Sequence, residues 1–101
     1  MRIDAHTHYL SEGMLAALRR RREPPFVERT ATGVELLRSR EMSFAFTPEH
    51  YDPVVREAFM RRVGLDAQIL SFPAGRGLDV LPGSEGEGLV RDYNDHLAAH
   101  C

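Results

Sequence analysis

The chain opens with a short alternation of apolar and polar positions. Read as a strand, Ile3, Ala5 and Thr7 fall on one face, and Asp4, His6 and His8 on the other. Met14, Leu15, Ala17 and Leu18 then recur at helical spacing behind Ser11, a suitable N-cap, and Pro24-Pro25 ends that helix. Phe26 to Thr30 and Val34 to Leu37 flank the turn-like Ala31-Thr32-Gly33 and predict a small β-hairpin. Met42 to Phe46 is a further short extended run. Asp52-Pro53 caps and starts a second helix, whose apolar face is Val54, Val55, Ala58, Phe59 and Val63 and whose stop is Gly64. Ala67 to Phe72 predicts a strand. Pro73-Ala74-Gly75-Arg76-Gly77 begins a long loop with further glycines at 83, 86 and 88. A last helix is expected from about Glu85 or Glu87, burying Leu89, Val90, Tyr93, Leu97 and Ala98.

With the segment from about 24 to 50 set aside as an insertion, the order is β-α-β-α. That order predicts an α/β fold with parallel strands. A parallel pair is normally part of a larger covered sheet, and a closed eight-stranded barrel takes roughly 250 residues. The expectation is therefore that residues 1–101 form the first βα units of an incomplete (β/α)8 barrel, the N-terminal part of a longer chain.

Composition narrows the function classes. With 43% hydrophobic and 28% charged residues, the chain has globular composition. Its formal net charge of −2 gives no basic footprint for nucleic acid. Arg19 to Arg22 fits a helix C-terminal end. No stretch has the apolar length of a membrane span, so no membrane partner is expected. Cys101 is the sole cysteine, so no internal disulfide is possible, and a reducing, cytoplasmic setting is the expectation.

The candidate chemistry lies at the start. Residues i and i+2 of a strand sit about 6.5–7 Å apart on one side. Two imidazoles projecting from His6 and His8 can converge on one divalent metal ion, most readily zinc. Asp4, in phase behind them, is placed to orient a histidine or to line the space under the metal. The alternative is that both histidines are ordinary polar residues at a strand end.

Four segments together resemble the amidohydrolase superfamily. They are Ile3-Asp4-Ala5-His6-Thr7-His8, Tyr51-Asp52-Pro53, Arg61-Arg62-Val63-Gly64-Leu65-Asp66-Ala67-Gln68-Ile69-Leu70-Ser71, and Tyr93-Asn94-Asp95-His96-Leu97-Ala98. The branch most resembled includes aminocarboxymuconate-semialdehyde decarboxylase, and the resemblance spans the first third or so of such a protein. It implies that His6 and His8 are metal ligands at the end of the first barrel strand, with Asp4 behind them. It implies too that the remaining histidines and an aspartate come from later strands. The expected activity is metal-dependent hydrolysis or non-oxidative decarboxylation of a small-molecule substrate. The 101 residues alone would be inactive, and the full-length protein is a candidate homo-oligomer. In some decarboxylases of the branch an arginine in the insertion grips a substrate carboxylate. Phe44 stands at that position here, with Arg38 and Arg40 nearby but out of register, which leaves hydrolase and decarboxylase both open.

Other residues carry weaker chemistry. Arg76 follows the second parallel strand and is a candidate substrate contact. His96 and His100 have the i, i+4 spacing of a zinc pair but are expected to be solvated. His50 is expected in a surface loop. Two further readings stay open. One is a phosphoesterase of the polymerase-and-histidinol-phosphatase type, which also opens His-x-His and often has a serine and a glycine soon after, as Ser11 and Gly13 are here. The other is a non-catalytic binding module.

Overall fold

The computed structural model describes residues 1–72 and 80–101. It is mixed α/β, with strands β1 (Ile3–His8), β2 (Phe26–Arg29), β3 (Glu35–Arg38), β4 (Ser43–Phe46) and β5 (Ala67–Ser71). Helices α1 (Glu12–Arg20), α2 (Pro53–Val63) and α3 (Gly83–His100) complete it, with a 3₁₀ turn over Pro48–His50. β1 pairs with β5 in parallel, and β2, β3 and β4 form a separate antiparallel sheet. The parallel pairing follows the β-α-β expectation. The insertion is a three-stranded meander rather than a hairpin, because Met42 to Phe46 does not remain a free extended run. It pairs along β3, with Leu37 opposite Phe44.

The local signals act where the sequence places them. The Ser11 hydroxyl accepts the Met14 N–H at 3.2 Å and opens α1. Asp52 accepts the Val54 N–H at 2.9 Å, with proline at the first helical position of α2. Gly64 closes α2 at φ 77, a left-handed conformation that side-chain-bearing residues adopt only with strain. α3 starts earlier than expected. Gly83, Gly86 and Gly88 belong to the helix and not to the preceding loop.

The packed core lies on the insertion side. Tyr9 and Leu10, just past β1, join Met14, Leu15 and Leu18 of α1, Val27, Leu37 and Phe46 of the antiparallel sheet, and Leu89 and Tyr93 of α3. Val27, Leu37 and Phe44 stand opposite one another across three strands, so one sheet face turns apolar toward α1. Arg19 of α1 grips Glu35 of β3 through two hydrogen bonds of 2.9 and 3.0 Å on that face. α1 meets α3 closely at Gly13, where an added Cβ would lie 2.4 Å from the Asp92 carboxylate. Ser11 donates to that same carboxylate at 3.2 Å.

The parallel pair is much less covered. Ile3 is 54% exposed and Ile69 59%. The apolar face expected for α2 is not buried either: Val54 is 73% exposed, and the buried residue of the helix is Arg56. In α3, Leu89 and Tyr93 are buried as expected, whereas Val90 and Ala98 are exposed. In each case the residues available for packing, not the periodicity, decide which apolar positions are covered. Leu18→Ala is expected to lower stability by about 2–5 kcal/mol, as for a filled core site. Ile69→Ala is expected to lower it by about 1 kcal/mol or less, as for an open strand position. Urea unfolding of the two variants checks the contrast.

Candidate metal centre

β1 does not keep strict alternation. Asp4 pairs with Gln68 and Thr7 with Leu70, so three steps on β1 match two on β5 and a bulge lies between Asp4 and Thr7. The bulge changes which side chains share a face. Asp4 reaches Gln68, whose Nε2 donates to its Oδ2 at 3.3 Å. Thr7 reaches the same cluster, its hydroxyl accepting from Arg56 at 3.1 Å, while the same Arg56 Nη1 donates to Gln68 at 3.1 Å. Asp4 therefore sides with Thr7 and not with the histidines as the alternation implied. What Asp4 holds is backbone: its Oδ1 accepts the His6 N–H at 3.1 Å.

The two histidines do come together. Their ring centres lie 5.0 Å apart, edge to face. Two imidazoles on one tetrahedral zinc, with bonds of about 2.0–2.1 Å, hold their ring centres about 5 Å apart, so the pair fits half of a tetrahedral donor set. His8 Nδ1 lies 3.5 Å from the Ser71 hydroxyl, which donates to the Thr7 carbonyl at 3.1 Å. His6 is exposed and His8 half-buried. Among the described residues, no group of three or more His, Cys, Asp or Glu side chains is placed to hold a metal ion. The pair thus has the spacing of two imidazole donors, with no third donor beside it among the described residues. A cleft of about 280 Å³, lined by Tyr9, Arg56, Met60, Gln68, Leu70 and Leu97, opens elsewhere, with neither histidine of the pair among its lining residues.

No protein-family model matches the chain, and no curated protein matches it.

The other candidates fall out differently. Arg76 lies outside the described residues. Phe44 packs edge-on against the His50 ring, 5.4 Å between centres. Arg38 is engaged within its own sheet, paired with Glu28 and donating to the Ser43 hydroxyl at 2.9 Å. Arg40 is exposed. Ser11 and Gly13 are accounted for by the α1 cap and the close approach to Asp92.

His50 and His96 are not the solvated residues the sequence suggested. His50 is half-buried and its Nδ1 accepts the Thr47 N–H at 3.1 Å, closing the 3₁₀ turn. Burial holds its pKa below the usual histidine value. His96 stacks on Tyr9 at 5.5 Å between ring centres, with Nε2 2.9 Å from the phenol oxygen. That phenol donates its proton to the Tyr51 carbonyl at 3.1 Å, so the His96 Nε2–H is the donor to Tyr9. Burial also lowers the His96 pKa, and it pushes the Tyr9 phenol up to about 12.

Arg56 is the residue that sequence reasoning passed over. It is 9% exposed. Its Nε donates to the Glu49 carbonyl at 2.8 Å and its Nη2 to the His8 carbonyl at 2.9 Å, besides the Thr7 and Gln68 contacts. Its guanidinium also lies over the Tyr9 ring, 5.2 Å from the centre. The available signal was a charged residue one position after Val55 and three before Phe59 on a helix with an expected apolar face, together with a glutamine inside the apolar strand β5, twelve residues further on.

Both lowered histidines favour the neutral ring in the folded chain. Their contribution to stability is complete above the unfolded value near 6.5 and is lost as pH falls through the lower folded values. The thermal midpoint is expected to fall as pH is lowered below about 6.5. A His50→Gln/His96→Gln double variant is expected to show a shallower fall, read by circular dichroism melts across pH.

Proposed function

We propose that this chain is the front portion of a metal-dependent amidohydrolase-type barrel enzyme, in which His6 and His8 supply two ligands to a divalent ion, most readily zinc. The reaction class is hydrolysis or non-oxidative decarboxylation of a small organic substrate, in a cytoplasmic enzyme that associates as a homo-oligomer at full length. The observation that carries the reading is the convergence of the His6 and His8 rings, 5.0 Å apart, at the C-terminal end of a strand paired in parallel with β5. Barrel enzymes build their sites at that end of the strands. The exposure of Ile3 and Ile69 on the two parallel strands agrees with further strands and helices covering them in a longer chain. No helix of the described residues is long and apolar enough to cross a membrane.

When bound, such an ion lowers the pKa of its water to about 7 and polarises the substrate. The chain's own part is to present two imidazole nitrogens at fixed separation. A catalytic zinc usually takes three protein ligands, so turnover requires at least one more than His6 and His8 supply. The structural duties of Ser11 and Gly13, and the ending of β5 in Ser71 rather than in an acid or histidine, favour this reading over the phosphoesterase.

Cobalt(II) titration tests the ligand assignment. The 101-residue chain is expected to bind Co²⁺ weakly, with imidazole-dependent visible absorption that His6→Ala or His8→Ala abolishes, and to turn over no substrate. Absorption and affinity unchanged in both variants would overturn it. Reading the coding sequence past Cys101 tests the larger claim. A frame that continues with histidines and an aspartate after later strands supports it, and a stop codon there overturns it.

A further inference from the structure

A strand bulge is a poor place to hold a ligand pair, since the ladder hydrogen bonds that would stiffen the strand are interrupted there. In β1 the interruption falls between Asp4 and Thr7, the stretch that includes His6. Something other than the ladder must hold the histidines in relative position. The side chains around the bulge form one connected network that does so.

Its hub is Arg56. One arm runs from Nη2 to the His8 carbonyl at 2.9 Å and so grips the second histidine by its backbone. A second runs from Nη1 to the Gln68 Oε1 at 3.1 Å, from Gln68 Nε2 to Asp4 Oδ2 at 3.3 Å, and from the His6 N–H to Asp4 Oδ1 at 3.1 Å. That arm ends on the backbone of the first histidine. Nη1 also donates to the Thr7 hydroxyl, between the two. The donor sequence is consistent throughout: guanidinium into amide oxygen, amide nitrogen into carboxylate, backbone N–H into carboxylate. The orientation of the Gln68 amide is set by its neighbours, because its oxygen must face the arginine and its NH2 the aspartate. Nε to the Glu49 carbonyl then ties the hub, itself on α2, to the end of the insertion.

We propose that Arg56 is a positioning residue for the His6–His8 pair, setting the separation of the two imidazoles through Gln68 and Asp4 on one side and through the His8 carbonyl on the other. The proposal rests on the reading of these histidines as metal ligands and assigns the support that such ligands need, since partners behind a ligand typically govern affinity by about 10–100-fold. Lysine cannot replace the hub. A single ammonium lacks the planar fork that reaches Thr7, Gln68, Glu49 and His8 at once.

The test uses the folded chain and two readings. In the metal-free protein, proton NMR is expected to show a His6–His8 inter-ring nuclear Overhauser contact. Arg56→Lys and Gln68→Leu are expected to lose it while circular dichroism still shows a cooperatively folding chain. Co²⁺ affinity is expected to fall about 10–100-fold in each variant. The double variant is expected to lose less than the sum, because both substitutions break the same chain of bonds. Arg61→Gln, on the exposed side of α2, is expected to leave both readings unchanged. If Arg56→Lys fails to fold, Gln68→Leu decides by the same two readings. An inter-ring contact and Co²⁺ affinity kept at wild-type values in the folded variants overturn the proposal. If the contact is lost in the variants but His6→Ala and His8→Ala bind Co²⁺ as the wild type does, the positioning role stands and the metal reading falls.

Discussion

The guanidinium of Arg56 ties together the parts of this chain that carry candidate chemistry. It is a cation withdrawn from water, and the oxygens it bonds, on Thr7, His8, Glu49 and Gln68, are all neutral. Desolvation of a charge is costly unless each donor finds a well-placed acceptor, and a rigid fork with several donors is suited to that. Burial correspondingly lowers its pKa from the ordinary arginine value, while the neighbouring Tyr9, Glu49 and Asp4 act in the opposite direction. Removing the side chain would strand carbonyl and amide oxygens in a half-buried space, and β1, β5, α2 and the insertion would lose their common link. The arrangement gives up apolar burial on α2 in exchange for geometric definition at the bulge.

Around this hub the chain divides its stability unevenly. Leu10, Leu15, Leu18, Val27, Leu37 and Phe46 pack α1 against the antiparallel sheet, and Leu89 and Tyr93 bring α3 onto the same core. The phenol of Tyr93 donates to the Tyr9 carbonyl at 2.8 Å, and Tyr9 in turn holds Tyr51 and His96. These links lead from the core to the residue that follows His8. The parallel pair is carried at the margin of the core, with apolar side chains open to solvent. The His6–His8 pair therefore sits between the packed core on one side and the open parallel strands on the other.

Much of the secondary structure was legible because its signals are local. Ser11 and Asp52 cap their helices through bonds that span two or three residues, and Gly64 ends α2 by its own left-handed backbone. The His6–His8 pair was legible for the same reason. Residues two apart on a strand start within reach of each other, and across the bulge the rings of these two do meet. The three-stranded insertion was only partly legible, because whether Met42 to Phe46 pairs depends on a partner strand and not on its own composition. The α3 start at Gly83 ran against glycine's low helix propensity, which packing of Leu89 and Tyr93 overrides.

The sequence by itself determined the caps, the stops, the β-α-β order and the two-residue spacing of the histidines on one strand, all of which depend on neighbours within a few positions along the chain. Tertiary structure alone decided the phase of Asp4, the burial of Arg56 and the partners of His50 and His96. Asp4 changes face because β5 pairs with β1 across a bulge that no periodicity announces. Arg56 is buried because acceptors from residues 7, 8, 49 and 68 converge on it. His96 leaves solvent because Tyr9, far away in sequence, offers it a ring and a phenol oxygen. Each is a contact between distant segments, and its energy exists only once the chain has folded them together.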